Sequence, residues 1–204
     1  MRPLTTRAMV AGLLATAMLT VGGWGCAKTP TFNGTLLDPP MQPSALSGVN
    51  WDGSDFSLEQ LRGKVAILFF GYTYCPDVCP LTLVKMKQVI GRLGESAEEV
   101  AVVFITVDPD RDSVEKLASY VPNFDRDFYG VRLPDQELRA AQEALGLAIQ
   151  YGEPKEGPGT DTFYYVDHTG SYFLVDREGQ ARVLHSPTST PEQIAPDVVA
   201  LLAG

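Results

Sequence analysis

The sequence predicts an α/β fold, with a central mixed β-sheet flanked by helices and an N-terminal hairpin extension. Two continuous apolar runs, VAILFFGY at 65–72 and AVVFITVD at 101–108, have the length of strands that are buried on both faces. Apolar residues at helical spacing follow each run. This alternation of buried strands and helices is typical of an α/β protein.

The first elements of the domain follow from turn residues and spacing. GVNWDGSDF at 48–56 predicts a short hairpin that turns at Asp52 and Gly53, and SLEQLRG at 57–63 predicts a helical turn. After the first buried strand, PLTLVKMKQVIGRLG predicts a helix with Pro76 near its first position and Pro80 in its first turn. Its apolar residues at helical spacing are Leu83, Met86, Val89, Ile90 and Leu93.

The later elements alternate in the same way. A helix over 113–121 can be capped by Asp112 or Ser113, and a second, over 133–147, begins near Pro134 or Asp135. Three segments with strand-like patterns follow, joined in part by a turn at 177–179: TFYYVDH, SYFLVD and ARVLHS. TPEQIAPDVVALLA predicts a last helix that is kinked at Pro196 or begins there.

Length and composition indicate one globular domain and a tail. The chain has 204 residues, of which 45% are hydrophobic and 20% charged, and its net charge is −9. Since no cluster of Lys and Arg occurs, nucleic acid is excluded as an expected partner.

Residues 1–25 have the pattern of an export signal. Arg2 and Arg7 precede an apolar run of about fourteen residues, which is short for a membrane span of ~20. Cys26 follows the run between small residues and resembles the lipidated cysteine of a bacterial lipoprotein. An uncleaved transmembrane anchor is the alternative. Either one predicts a location on the extracytoplasmic face of a bacterial membrane.

Residues 26–47 predict a lipid-anchored tether. Four prolines fall in this stretch and no periodic pattern does, so we expect a segment without regular structure that leads into a domain at 48–204.

The sequence GYTYCPDVCP at 71–80 stands between a predicted strand and a predicted helix. Its two cysteines are four residues apart, a spacing that permits a disulfide or lets both sulfurs bind one ion. A helix N-terminus favours the thiolate, which redox exchange and metal binding both require. A structural disulfide is the third possibility, but so small a loop gives only ~2 kcal/mol of stabilisation.

A site for a soft metal such as Cu(I) needs a third ligand besides two thiolates. The chain has only two histidines, and neither spacing nor composition chooses between them. His168 stands at the mouth of a predicted hairpin, and His185 at the end of the next strand.

Three stretches resemble the Sco/SenC family: GKVAILFFGYTYCPDVCP, VFITVDPDRDSVEKLASYV and VDHTGSYFLVDREG. The likeness runs from about residue 45 to 200. It implies a thioredoxin-like fold and a membrane-tethered protein that handles copper for cytochrome c oxidase. Carried over by position, the copper ligands would be Cys75, Cys79 and His168. His185 matches no family position and is expected at the surface.

Two acidic residues beside the implied ligands are further candidates. Asp77 could tune the cysteine pair electrostatically, or simply favour the first turn of the helix. Asp167 could orient His168, although neighbouring residues on a strand point to opposite faces.

The resemblance implies delivery of copper, as Cu(I) or Cu(II), to the binuclear copper site of a terminal cytochrome c oxidase. Expected partners are the copper-site subunit of that oxidase, other periplasmic copper chaperones or thiol reductants, and the membrane itself. The alternative is a thiol-disulfide reductase that keeps the oxidase cysteines reduced through Cys75 and Cys79. We expect a metallochaperone rather than an enzyme. Peroxide reduction and an inert disulfide-stapled domain are two further alternatives.

Overall fold

The computed structural model describes residues 31–43, 45–156 and 162–204. In chain order its strands are β1 (Thr35–Met41), β2 (Gly48–Asn50), β3 (Asp55–Phe56), β4 (Val65–Gly71), β5 (Val100–Thr106), β6 (Tyr129–Arg132), β7 (Ile149–Tyr151), β8 (Lys155–Glu156), β9 (Thr162–Phe163), β10 (Val166–His168), β11 (Tyr172–Val175) and β12 (Ala181–His185). The α-helices are α1 (Val78–Arg92), α2 (Val114–Tyr120), α3 (Asp135–Leu145) and α4 (Pro191–Leu202). Short 3₁₀ helices cover Leu58–Leu61, Gly94–Glu99 and Val121–Asn123. Within the described ranges, no helix combines the length and the apolar character needed to cross a bilayer.

The predicted mixed sheet is confirmed, with eight strands in the order β1-β12-β11-β4-β5-β6-β2-β3. β4 pairs in parallel with β5, and β5 in parallel with β6, while β11 runs antiparallel to β4. Every residue of β4 and β5 is buried, so both faces of the sheet are covered at its centre. α1 and α4 pack against each other, and α2 contacts β6.

The local predictions largely hold. β2 and β3 form the predicted hairpin, which joins β6 and so becomes an edge of the main sheet. Ser113, rather than Asp112, caps α2, since its side chain accepts a hydrogen bond from the Lys116 amide. α4 begins at Pro191 behind a Thr190–Gln193 capping box, so the predicted start at Pro196 is wrong.

The expectation of an irregular segment up to residue 47 is wrong for Thr35–Met41. This stretch forms β1, which pairs antiparallel with β12 at the edge of the sheet. Its register shifts between Leu36 and Met41, across Pro39 and Pro40. Prolines are tolerated at such an edge, but they mask the alternation by which a strand is recognised. Leu46, within the same segment, is completely buried.

The segment TFYYVDH does not form one strand of a hairpin with SYFLVD. It divides into β9 and β10, and β10 pairs with β7 in a separate two-stranded ribbon. Both edges of β11 are already paired, with β4 and with β12, so β10 cannot join β11 in the main sheet. His168 therefore ends a ribbon strand outside the main sheet.

Candidate metal centre

The two cysteines of the GYTYCPDVCP motif flank the start of α1. The helix begins at Val78, so Cys75 lies in the preceding loop and Cys79 in the first turn. Pro76 consequently lies two residues before the helix, rather than near its first position as predicted, whereas Pro80 lies within the first turn as predicted. Cys75 is half-buried and Cys79 is completely buried, and both are free thiols. The Cys79 amide donates to the Cys75 sulfur over 3.4 Å.

The surroundings of the two sulfurs make them chemically unequal. The pKa of Cys75 is lowered to about 5, chiefly by a hydrogen bond from the Cys79 side chain and also by the amides of Asp77, Cys79 and Val78. The pKa of Cys79 is raised, by its hydrogen bond to Cys75 and by burial. Cys75 is therefore the thiolate of the pair near neutral pH, and Cys79 is the thiol that donates to it.

His168 comes to the cysteines from the end of β10. Its Nε2 lies 3.8 Å from the Cys79 sulfur, and its Nδ1 lies 3.1 Å from the carbonyl oxygen of Thr169. A proton on Nδ1, donated to that carbonyl, leaves the lone pair of Nε2 directed toward the sulfur. The ring stands edge-on to Tyr72, with the ring centroids 5.8 Å apart.

The structure thus places Cys79 in contact with both Cys75 and His168. In the described part of the chain, however, no group of three His, Cys, Asp or Glu side chains is arranged around a common point. Two thiols and an imidazole are soft to intermediate donors that suit copper, so the residues present fit this metal by their chemistry.

Gly71 is a site residue that the sequence did not identify. It ends β4 beneath the motif, and a Cβ atom there would lie 2.9 Å from the Cys79 sulfur and 2.8 Å from the Phe104 ring. Only glycine leaves room for the buried thiol at this position. The signal for it, a glycine closing an apolar strand directly before a cysteine motif, is visible in the sequence.

Asp112 is a second residue whose role the sequence did not reveal. It is completely buried and accepts hydrogen bonds from the Thr73 amide at 2.9 Å, the Thr73 hydroxyl at 2.5 Å and the Thr106 hydroxyl at 2.7 Å. Burial raises the pKa of this carboxyl. Asp112 therefore ties the loop that carries Cys75 to the end of β5.

The two acidic candidates are less closely involved. Asp77 is exposed and immediately precedes α1, where its amide, rather than its carboxylate, supports the Cys75 thiolate. Asp167 is also exposed, and it pairs across the ribbon with Gln150. The Nδ1 atom of His168 contacts the Thr169 carbonyl instead, so the structure offers no support for orientation by Asp167.

The expectation that His185 lies at the surface is wrong. Its side chain is completely buried, stacks on the Tyr172 ring and places Nε2 3.0 Å from Asp197 of α4. The inward residues of β12 alternate as Ala181, Val183 and His185, so this histidine occupies a core position. The nearby buried carboxylate of Asp197 offsets only part of the cost of burying this polar ring. The remaining predicted site residue, Cys26, lies outside the described residues.

The SCO1/SenC family description matches residues 43–203. The chain belongs to the SCO1/SenC family. Among curated relatives, a protein of Stutzerimonas stutzeri whose name describes it as copper-binding is 37% identical over 135 residues. This match covers 66% of the chain and 64% of the relative, so the chain spans less than two thirds of that relative's length.

Two solved Sco structures share the fold closely. Apo Sco1 from Thermus thermophilus is 35% identical with a TM-score of 0.73, and the match covers 86% of this chain and 100% of that one. Copper-bound ScoI from Bradyrhizobium japonicum is 30% identical with a TM-score of 0.67, covering 83% and 99%. The predicted thioredoxin-like fold and the predicted family are thereby confirmed, and copper is a ligand of close structural relatives.

Proposed function

We propose that this family member binds copper through Cys75, Cys79 and His168 and delivers it to the binuclear copper site of a terminal cytochrome c oxidase. The observation that carries the proposal is the 3.8 Å approach of His168 Nε2 to the Cys79 sulfur, between residues 89 positions apart in the chain. The Sco family is described as one of cytochrome c oxidase assembly proteins.

The geometry supports a stepwise uptake of the ion. Cys75 is half-buried and has a pKa of about 5, so it offers a ready thiolate to incoming copper. Cys79 has a raised pKa, and its coordination would release a proton. His168 then supplies the third donor. A three-ligand site leaves a position open for a ligand of the recipient, which is what transfer requires.

The N-terminal sequence supports a membrane location for the proposed copper transfer. Residues 1–25 would direct export, and lipidation of Cys26 would hold the domain on the extracytoplasmic face of a bacterial membrane. An uncleaved transmembrane anchor is the alternative. The copper-site subunit of the oxidase would be the recipient partner, and other periplasmic copper chaperones or thiol reductants would act before the transfer.

Metabolic lipid labelling of the full chain and of its Cys26→Ser variant tests the anchor, since only the chain that contains Cys26 should be labelled.

Anaerobic titration of the reduced protein with Cu(I), in competition with a chelator, tests the copper site. We expect one high-affinity Cu(I) ion per chain, and its loss in a Cys75→Ser, Cys79→Ser double variant.

The second measurement is the electron paramagnetic resonance spectrum of the protein loaded with Cu(II). His168→Ala should weaken copper binding and remove the nitrogen signal from this spectrum. Asp167→Asn is the matched control, because this exposed neighbour should leave both measurements unchanged. Equal binding by the wild type, the double variant and His168→Ala would refute the site.

The low pKa of Cys75 beside a second thiol favours a further candidate function, reduction of a disulfide in the oxidase subunit. The Cys75 thiolate would attack one sulfur of the target disulfide, and the second target sulfur would leave as a thiol. Cys79 would then displace the first target thiol and close a Cys75–Cys79 disulfide, so two electrons pass to the target. An assay of reduction of the target disulfide by the His168→Ala variant separates the two functions. Full reductase activity in this variant indicates the thiol-disulfide reductase, and loss of activity indicates copper transfer.

A further inference from the structure

Residues 107–113 connect β5 to α2 and lie between the two segments that carry the candidate copper ligands. On one side, Asp112 binds the amide and the hydroxyl of Thr73, two residues before Cys75. On the other side lies the ribbon formed by β7 and β10, which ends at His168. The same short connection therefore touches both halves of the site.

Three hydrogen bonds join this connection to the ribbon and to Tyr164, two residues before β10. The Tyr151 hydroxyl donates to the Val107 carbonyl at 2.6 Å, and the Tyr164 hydroxyl donates to the Asp108 carboxylate at 2.7 Å. The Arg111 guanidinium donates to the Tyr164 carbonyl at 2.9 Å. β10 pairs with β7 and not with the main sheet. The ribbon is held against the domain by these bonds, by the burial of Val166 in the core and by a 3.5 Å contact from the Val166 amide to the Tyr72 hydroxyl.

Arg111 lies at the centre of this arrangement. Its Nε donates to the carboxylate of Asp108 at 2.5 Å, and the two side chains are 13% and 0% exposed. The guanidinium carbon lies 3.5 Å from the ring centroid of Tyr164, which shortly precedes β10 and His168. It lies 4.9 Å from the ring centroid of Tyr74, in the loop at 72–77 that carries Cys75, called here the cysteine loop. One largely buried cation thus contacts aromatic rings beside Cys75 and before β10, at distances typical of cation–π attraction.

We propose that Arg111 and Asp108 are positioning residues that hold His168 at its working distance from Cys79. This inference rests on the proposed copper site. The cysteine loop and the ribbon share no strand pairing. Tyr72 contacts Val166 and His168 directly, and the connection at 107–113 adds groups that contact both sides. Arg111 is the one residue of the connection whose side chain reaches rings on both sides. Copper affinity should depend on Arg111 although Arg111 is not a ligand. Loss of a residue that orients a metal ligand commonly lowers metal affinity by about 10- to 100-fold.

Two variants test these contacts of Arg111 and Asp108, called here the clamp, and they remove different numbers of interactions. Arg111→Gln removes the charge and the stacked guanidinium while a polar side chain is retained. Tyr164→Phe keeps the ring under the guanidinium and removes only the hydrogen bond to Asp108. Arg182→Gln is the matched control, because Arg182 of β12 pairs with the buried Asp176 at 3.2 Å and does not touch the ribbon.

The first measurement is amide hydrogen exchange in the metal-free protein. The Gly152 amide donates to Tyr165 at 2.8 Å and the Thr169 amide to Ala148 at 2.9 Å, so both report on the ribbon. Arg111→Gln should accelerate exchange at these two amides and leave β4 and β5 protected. Arg182→Gln should leave the ribbon amides unchanged.

The second measurement is copper affinity, together with the nitrogen signal of the Cu(II) spectrum. Arg111→Gln should weaken binding by about 10- to 100-fold and reduce the nitrogen signal, with a smaller effect for Tyr164→Phe. Unchanged affinity and unchanged ribbon exchange in Arg111→Gln would overturn the proposal, as would losses matched by Arg182→Gln. If wild-type copper binding proved independent of His168, the proposed function would fail. The exchange measurement would still decide whether the clamp exists.

Discussion

At the scale of single residues, Cys75 and Cys79 differ in exposure and acidity although they are only four positions apart. We expect Cys75 to be alkylated with a pH midpoint near its pKa of about 5, while buried Cys79 stays unreacted in the native protein. Since the main cause of the low pKa is the hydrogen bond from the Cys79 side chain, Cys79→Ala should raise the midpoint. Mass spectrometry of the alkylated protein across a pH series measures both effects.

The pH profile of the Cys79→Ala variant is the critical comparison. An unchanged midpoint would mean that the amides of Asp77, Val78 and Cys79 alone stabilise the thiolate. Asp77→Asn serves as the control, because the amide of residue 77, and not its carboxylate, is among the causes of the shift.

Gly71 permits a second prediction at this scale. In Gly71→Ala the new methyl group would overlap the Phe104 ring and the Cys79 sulfur, both of which are buried. We expect a loss of about 1–3 kcal/mol in the free energy of unfolding, as in other overpacked cores, and weaker copper binding. Denaturant unfolding and copper titration measure the two effects.

Gly91→Ala is the matched control for Gly71→Ala. Gly91 lies in α1 with open space around its Cα, so alanine there should stabilise the helix by about 0.5–1 kcal/mol. If both variants were equally stable, crowding beneath Cys79 would not be the reason for glycine at position 71.

The candidate ligands could be named from the sequence only through the family resemblance. Helical spacing indicated that Cys75 and Cys79 are neighbours, but nothing local connects either of them with His168. The structure brings His168 to Cys79 because the ribbon is bound at the end of β5, where the Tyr151 hydroxyl donates to the Val107 carbonyl and Arg111 donates to the Tyr164 carbonyl. The role of Cys75, Cys79 and His168 in copper binding stays a prediction.

At the scale of elements, β4, β5 and α1 were predictable because their patterns are local. An unbroken apolar run indicates a strand buried on both faces, and apolar spacing indicates a helix that covers it. β1 was not predictable, because its partner β12 is distant in sequence and its prolines hide the alternation. The strand character of TFYYVDH was predictable, but the pairing of β10 with β7 was not, because β7 is distant in sequence. His185 was misplaced for the same reason, since its partner Asp197 belongs to another element.

The packing of β12 on α4 predicts a pH dependence of stability. Burial lowers the pKa of His185, and the nearby Asp197 offsets this only in part. Below the ordinary histidine pKa of about 6.5, the unfolded chain binds a proton that the folded chain resists. Stability should therefore fall as the pH falls, by as much as about 1.4 kcal/mol between about pH 7.5 and 5.5. Denaturant unfolding at both pH values measures the change.

His185→Gln is the comparison for this pH effect, because glutamine keeps a polar group and does not titrate. The difference in unfolding free energy between wild type and variant isolates the histidine from the carboxylates that titrate at lower pH. A wild type that gains stability relative to the variant on acidification would show that Asp197 holds His185 in its protonated form.

At the scale of the whole molecule, the fold begins earlier than the proline-rich composition indicates. Asp197 of α4, 1% exposed, accepts hydrogen bonds from the amides of Asn33 and Gly34 at 2.9 and 2.8 Å. The chain thus enters the domain before β1, so the predicted tether would end near residue 32 rather than at 47. With random-coil statistics, the predicted reach would then be roughly 15 Å instead of roughly 25 Å.

Truncation tests where the folded domain begins and hence where the predicted tether would end. A chain that begins at residue 31 should unfold at the same temperature as one that begins at residue 26. A chain that begins at residue 43 should lose at least about 3 kcal/mol, because buried Asp197 loses its hydrogen-bond donors from Asn33 and Gly34. It should also aggregate more readily, since β12 becomes an open edge. Calorimetry and light scattering measure these effects. Equal unfolding temperatures for all three chains would show that β1 adds nothing to the sheet and would return residues 26–47 to the tether.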